Sequence, residues 1–280
     1  MPRQVSVVVP DALAALLERR AADEGTSLDH VVRRILAAEL ELEHHSLFQV
    51  STSGALVQGV NDGCLTVGDL KRYGDFGLGT FDALDGEMVL LDGRCFQARG
   101  DGAVHEASGA ALTPFAVVTR FFTDRTVEHV DAPTLAALTD ALDVARASEN
   151  LFVGVRITGE FDELLLRAAC RSEHGVPLVA AVEHQAEWSV RGVRGTLVGF
   201  WSPPFTQAVT VPGHHLHFLS VDATQAGHVL GLTARDLTVE LHEMNDVHLA
   251  LPESESFVHA DLARDTSADL DAAEHDRRTT

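Results

Sequence analysis

Cysteine is scarce in this chain, and so is positive charge. The three cysteines, Cys64, Cys95 and Cys170, are odd in number and show no C-x-x-C spacing, which argues against a disulfide framework and against a cysteine-built zinc knuckle. They read as reduced, structural thiols. Lysine and arginine total 21 against 42 aspartates and glutamates, a formal charge of −21 with a pI near 4.9. A balance of that sign disfavours a nucleic-acid surface for the chain as a whole and promotes solubility, without naming a substrate. No apolar run approaches the roughly 18 to 20 residues of a membrane span. The opening MPRQVSVVVPDALA is interrupted by a proline and an acid, unlike a signal peptide, so the expected location is the cytoplasm. Internal repeats and low-complexity tracts are missing too. What is present is 280 residues, 45% of them hydrophobic, enough for two domains with a sizeable core.

The most informative stretch runs from Gly199 to Leu230. Val211-Pro212-Gly213 marks a turn, and the apolar Leu216, Phe218 and Val221 leave His215 and His217 with the period-two spacing of a strand, so both imidazoles project from one face. His228 follows Ala226-Gly227, and a short return brings it beside them. Three neutral imidazoles with an open fourth position suit zinc or a similar divalent ion. In a chain with 15 histidines, a lone H-x-H is more often a pair of hydrogen-bonded or solvent-facing side chains, and spacing alone leaves both readings open.

Several blocks in order along the chain carry a resemblance. VPGHHLHFLS followed by GHV, together with LFQVSTSGALVQGVNDGCLTVGDL, GDFGLGTFDALDGEMVLLDG, LFVGVRITGEFDELLLRAAC and GTLVGFWSPP, resembles the α-acetolactate decarboxylases over about residues 46 to 275. Independent blocks at compatible spacing are far more specific than one motif. The resemblance implies metal-dependent decarboxylation of 2-acetolactate to (R)-acetoin and carbon dioxide, with His215, His217 and His228 holding a divalent ion, zinc first. It also implies a cavity glutamate at Glu87, although an acid at the mouth of a hairpin is otherwise most often solvated. Of two competing arginines, Arg156 and Arg167, the family pattern selects Arg167, six residues after Phe161. Glu274, near the C-terminus, matches a glutamate that folds back into the cavity; without the resemblance, DTSADLDAAEHDRRTT reads as a frayed tail. A homodimer follows from the same likeness.

Residues 1–42 read as a separate module. Gln4 to Val9 forms a short strand, Pro10 opens a helix that Gly25 ends, and a second helix follows from Ser27 with Leu28, Val31, Val32, Ile35 and Leu36 at helical spacing. Strand, helix, helix resembles the ribbon-helix-helix modules of bacterial repressors, which complete their core only as dimers. The departure lies where DNA would be read: with Val5, Val7 and Val9 facing the core, Ser6 and Val8 face the groove, where a basic side chain is expected. A dimerising or vestigial module is therefore favoured over DNA contact. A rival reading joins this module to a metabolite sensor that has kept the decarboxylase fold.

The remaining chain predicts an α+β (mixed α/β) fold dominated by sheets, because strand-like runs outnumber helices after residue 47 without strict alternation. Two sheet-based halves are expected, 46–170 and 171–275, the second bearing the histidines and the site lying between them. Asp85-Gly86 and Asp92-Gly93 are turns bracketing a strand from Glu87. A helix is expected over 132–147 with Asp131 as its cap, two strands over 151–157 and 161–169 joined by a turn at Thr158-Gly159, and a strand-like run at PLVAAVEHQ.

Overall fold

The computed structural model describes residues 6–23, 27–39, 45–183 and 185–274. Helices α1 (Asp11–Asp23) and α2 (Leu28–Glu39) form the expected pair and pack on each other, the carbonyl of Pro10 accepting the first helical N–H groups. Of the strand expected over Gln4–Val9, residues 4 and 5 lie outside the described residues, and Ser6–Val9 pair with no strand among them. Val8, Leu13, Leu16, Leu28 and Leu36 are exposed, leaving an apolar face on the single chain.

Eight strands come next: β1 (Ser46–Val50), β2 (Leu65–Thr66), β3 (Phe76–Thr80), β4 (Glu87–Leu91), β5 (Arg94–Ala98), β6 (Val104–Glu106), β7 (Leu112–Thr113) and β8 (Ala116–Thr119). Helices α3 (Ser53–Val57) and α4 (Val67–Leu70) interrupt them. After a short link come β9 (Arg125–Ala132), helix α5 (Leu135–Ala145), β10 (Phe152–Ala168), helix α6 (Leu178–Val182), β11 (Ala186–Ser202), β12 (Gly213–Ser220), β13 (Ala226–Met244) and β14 (Asp246–Ala250). Helices α7 (Glu255–Val258) and α8 (Ser267–Glu274) follow.

One sheet has the order β14-β1-β8-β3-β4-β5-β6, and β14 adds to β1 in parallel. The other has the order β10-β11-β12-β13-β9, and β10 pairs β13 as well, so that β10 to β13 close on themselves around an apolar interior. Alternation along the strands sorts side chains between cores. In β4, Met88 and Leu90 join a core on the outer face of the first sheet, while Val89 enters the core between the sheets, on the same face as Glu87. In β12, Leu216 and Phe218 fill the closed interior and Leu219 joins the core between the sheets. His215 and His217 share that inter-sheet face.

Arg167 owes its direction to an irregularity. Val153, Val155, Ile157 and Phe161 of β10 point into the closed interior, but beyond Asp162 the inward residues are Leu164 and Leu166. The pairing with β13 slips between Phe161 and Glu163. Since the side-chain period is two, one extra residue exchanges the faces. Without the bulge, Arg167 would point into the closed apolar interior instead of toward the other sheet.

Several expectations are corrected. The sheets change between Thr119 and Arg125, not near residue 170, and β14 returns to the first sheet, so neither 46–170 nor 171–275 coincides with one sheet. Phe152–Ala168 is one strand of 17 residues, without a turn at Thr158-Gly159. PLVAAVEHQ contains α6, whose Leu178, Ala181 and Val182 are buried at helical spacing. The cap of α5 is Thr134, whose hydroxyl accepts from Ala137 N, not Asp131. Among the described residues no helix is long and apolar enough to cross a membrane.

Candidate active site

The β12–β13 hairpin sets His217 directly opposite His228, and β13 in turn pairs His228 with Arg167 of β10. Three neighbouring strands thus deliver one layer of functional side chains, with His215 two residues back on β12. Candidate nitrogens from His215, His217 and His228 lie within 4.8 Å of one another. Nε2 of His215 and Nδ1 of His228 are 3.2 Å apart. Two nitrogens about 2.0–2.1 Å from one tetrahedral ion are separated by about 3.3 Å, so the span fits shared ligation.

Hydrogen bonds decide which nitrogen each ring offers. Nδ1 of His217 lies 2.8 Å from the carbonyl oxygen of Met88. A carbonyl only accepts, so Nδ1 carries the proton and Nε2 keeps its lone pair. That Nε2 is buried with no hydrogen-bond partner, an orphan that a cation would satisfy. Nε2 of His228 donates to the backbone oxygen of Glu274 at 3.2 Å, leaving Nδ1 for the site. Burial pushes the His217 ring down to about 4 and His228 well below the ordinary imidazole value, where the nearby Arg167 guanidinium adds to burial. Both rings are neutral, the form that binds metal.

Glu87 enters from the opposite sheet, and its Oε2 is 3.6 Å from His217 Nε2. Its Oε1 accepts the backbone N–H of Ala169 at 3.2 Å. Burial raises the Glu87 carboxyl above its usual value, while Arg167 and that N–H oppose the rise. Arg167, 4% exposed at its side chain, donates through Nη2 to Glu274 Oε2 at 2.9 Å and through Nη1 to Gln185 Oε1 at 2.9 Å. Its Nε is buried and unbonded.

Glu274 arrives on the last turn of α8. Leu270 and Ala273 share a face of this helix with Glu274 and pack into the inter-sheet core beside α3 and α6, because positions three and four apart lie together. The carboxylate ends 3.6 Å from His215 Nε2 and 3.7 Å from His228 Nδ1. The tail is therefore a packed helix as far as Glu274, and residues 275–280 lie outside the described set.

All six expected site residues come together. Arg156, the competing arginine, instead pairs with Asp92 and lies over the Phe76 and Phe121 rings. Sequence reasoning missed Gln185 and the backbone groups of Met88 and Ala169, for which no local pattern exists. A small cavity of about 40 Å³ is lined by Glu87, Arg167, His215, His217 and Glu274 with apolar walls from Leu56, Phe115 and Leu178. A wider groove of about 830 Å³ reaches His215, His228 and Glu274 from the side of α5.

Comparison with known proteins gives a consistent picture. The family model described as alpha-acetolactate decarboxylase matches residues 47–264. A protein of Methylococcus capsulatus named alpha-acetolactate decarboxylase is 43% identical over 236 residues, 83% of this chain and 90% of its own length. A Methanosarcina mazei protein of the same name is 42% identical over 229 residues, covering 81% and 80%. The crystal structure of alpha-acetolactate decarboxylase from Bacillus subtilis strain 168 superposes with a TM-score of 0.79 at 34% identity, over 82% of this chain and 100% of that one. A fold that carries three histidines, two carboxyls and an arginine to one seam, in a sequence matched over most of its length, places this chain in the alpha-acetolactate decarboxylase family.

Proposed function

We propose that the chain decarboxylates 2-acetolactate to (R)-acetoin, using His215, His217 and His228 as ligands of a divalent ion, zinc first. The observation that carries this reading is the convergence of His217 Nε2, buried and without a hydrogen-bond partner, with Glu87, Arg167 and Glu274 in one seam. The chemistry supplied there by the ion is Lewis-acid stabilisation of the negative charge that develops on the substrate's oxygens as carbon dioxide leaves.

The chain's own residues do the rest. Arg167 offers its fork, with Nε unengaged, to the substrate carboxylate, which takes over a donor now held by Glu274. The apolar walls from Leu56, Phe115 and Leu178 receive the methyl groups and exclude water from the reacting carbon. Departure of carbon dioxide leaves a carbon that must be protonated. Glu87 is suited to hold that proton, because burial keeps its carboxyl protonated to higher pH than a surface glutamate. Glu274, between Arg167 and two histidines, accepts the hydroxyl proton and returns it to the product oxygen, while Glu87 regains its own proton from solvent. A donor fixed on one side delivers to one face of the planar carbon, which yields one hand of product.

Two chains associate through the apolar face of α1 and α2, giving a homodimer; groove-facing Ser6 and Val8 offer DNA nothing basic. The test of the reaction is incubation of the metal-loaded protein with racemic acetolactate while acetoin and carbon dioxide are followed. Binding without release of either product overturns the assignment in favour of a sensor.

A further inference from the structure

Away from the six-residue site, a second set of metal-ligating side chains meets. His45 stands just before β1, Asp124 lies in the link between the two sheets, and His242 is near the end of β13. Their candidate ligand atoms lie within 4.8 Å of one another. Nδ1 of His242 is 3.2 Å from Asp124 Oδ2, and Nδ1 of His45 is 3.6 Å from the same oxygen. The rings are stacked with centroids 5.1 Å apart, so both present the same edge to one carboxylate.

We infer that His45, Asp124 and His242 form a second divalent-cation site, structural rather than catalytic. Two imidazoles and one carboxylate suit zinc and its first-row neighbours. The backbone oxygen of Glu243 accepts from His45 Nδ1 at 2.6 Å, a hydrogen bond that a cation on that nitrogen replaces. Without an ion, the protons on these imidazole edges hold the carboxylate and the carbonyl. One cation takes their place at the same corner, each ring then offering its Nδ1 lone pair. The surroundings suit a structural ion: His242 is fully buried, His45 nearly so, and the Phe121 and Phe122 rings lie against His242.

The backbone supplies a separate argument. His45 adopts φ of 59°, a left-handed conformation that a residue with a β-carbon enters only when its surroundings hold it there. Its carbonyl meanwhile accepts from both Asn245 and Asp246, which fixes the start of β14. A cation at this point joins three segments that are remote in sequence: the entry to β1, the link between sheets and the exit from β13. Its effect is to bind the two sheets together where the chain crosses between them.

The test uses the full chain, stripped of metal, reloaded with zinc and freed of excess before elemental analysis. The expected result is two ions per chain. Asp124→Asn and His45→Gln are each expected to lower the count to one while acetoin formation stays within about twofold, whereas His217→Ala removes the other ion together with turnover. In the His217→Ala background, zinc titration is expected to show one remaining site, weakened at least about tenfold by adding His45→Gln. That titration decides the matter even where Asp124→Asn does not fold. A zinc count unchanged by both single variants, or no zinc bound by His217→Ala, overturns the second site and leaves the active-site assignment untouched.

Discussion

His217 is oriented by Met88: the ring nitrogen of the one donates to the carbonyl oxygen of the other at 2.8 Å. Met88 follows Glu87 directly, so the strand that supplies the carboxyl proposed to handle the proton also fixes the tautomer of a proposed metal ligand. The two sheets cannot slide past each other without disturbing both proposed roles at once.

Metal content is the most direct test of the histidine set. His215→Ala and His217→Ala are each expected to lose most of the active-site ion, since removing one of three protein ligands weakens both affinity and geometry. Undiminished zinc at that site in both variants, read by elemental analysis, would sink the assignment.

The carboxyls are expected to be separable from the metal. Glu87→Gln and Glu274→Gln are expected to retain the ion and to lose turnover, by about 10²- to 10⁴-fold at the true donor, because an amide keeps the size but transfers no proton. Truncation after Thr266 removes α8 with Glu274 and is expected to lower turnover; unchanged rate and product handedness would remove Glu274 from the site.

The pH profile carries a sign. Burial raises the Glu87 carboxyl, so the acid form persists above the ordinary glutamate range and is lost as pH rises through the raised value. Turnover is therefore expected to fall on the alkaline side with the loss of one proton, and residual turnover of Glu87→Gln is expected to lack that limb. A limb that survives in the variant assigns it to another group.

Gly199 offers a test by packing. A β-carbon there would collide with Leu216 Cδ2 and meet the carbonyl oxygen of His215 at 2.6 Å. The backbone oxygen cannot yield without moving β12. Gly199→Ala is expected to destabilise by about 1–3 kcal/mol and to weaken metal binding as well. Wild-type urea midpoint and zinc content together would show that β12 tolerates the shift.

The front module is expected to be dispensable for chemistry. Deleting residues 1–42 should leave decarboxylation largely intact, since α1 and α2 pack on each other and the family match begins at residue 47. The measured mass in solution should fall if this module joins two chains. Specific operator binding with a steep salt dependence would restore the DNA reading.

The histidines were legible because strand alternation is a local signal: Leu216 and Phe218 mark one face and thereby expose the other. Glu87, Arg167 and Glu274 were found through the resemblance, because each stands far in sequence from the histidines it meets. Arg167 shows the limit of periodicity, for simple alternation from Ile157 would send it into the closed interior, and only the bulge at Asp162 turns it around. PLVAAVEHQ misled because a short apolar run with β-branched residues fits strand and helix alike; burial of Leu178, Ala181 and Val182 decides for helix. The sheet boundary was misplaced because β10, though it leads into the histidine region, follows the first half without any break in composition. His45, Asp124 and His242 share no local spacing, and only folding brings them together.

The parallel pairing of β1 with β14 has a consequence for synthesis. As the chain leaves the ribosome, one edge of the first sheet must wait for a partner made almost 200 residues later, and Glu274 emerges later still. Pairing so remote is slow to close, and an uncovered edge invites pairing with other chains in the interval. The proposed catalytic centre is thus among the last parts to assemble: a nascent chain halted after β12 already carries Glu87, Arg167, His215 and His217, yet lacks His228 and Glu274 to complete it.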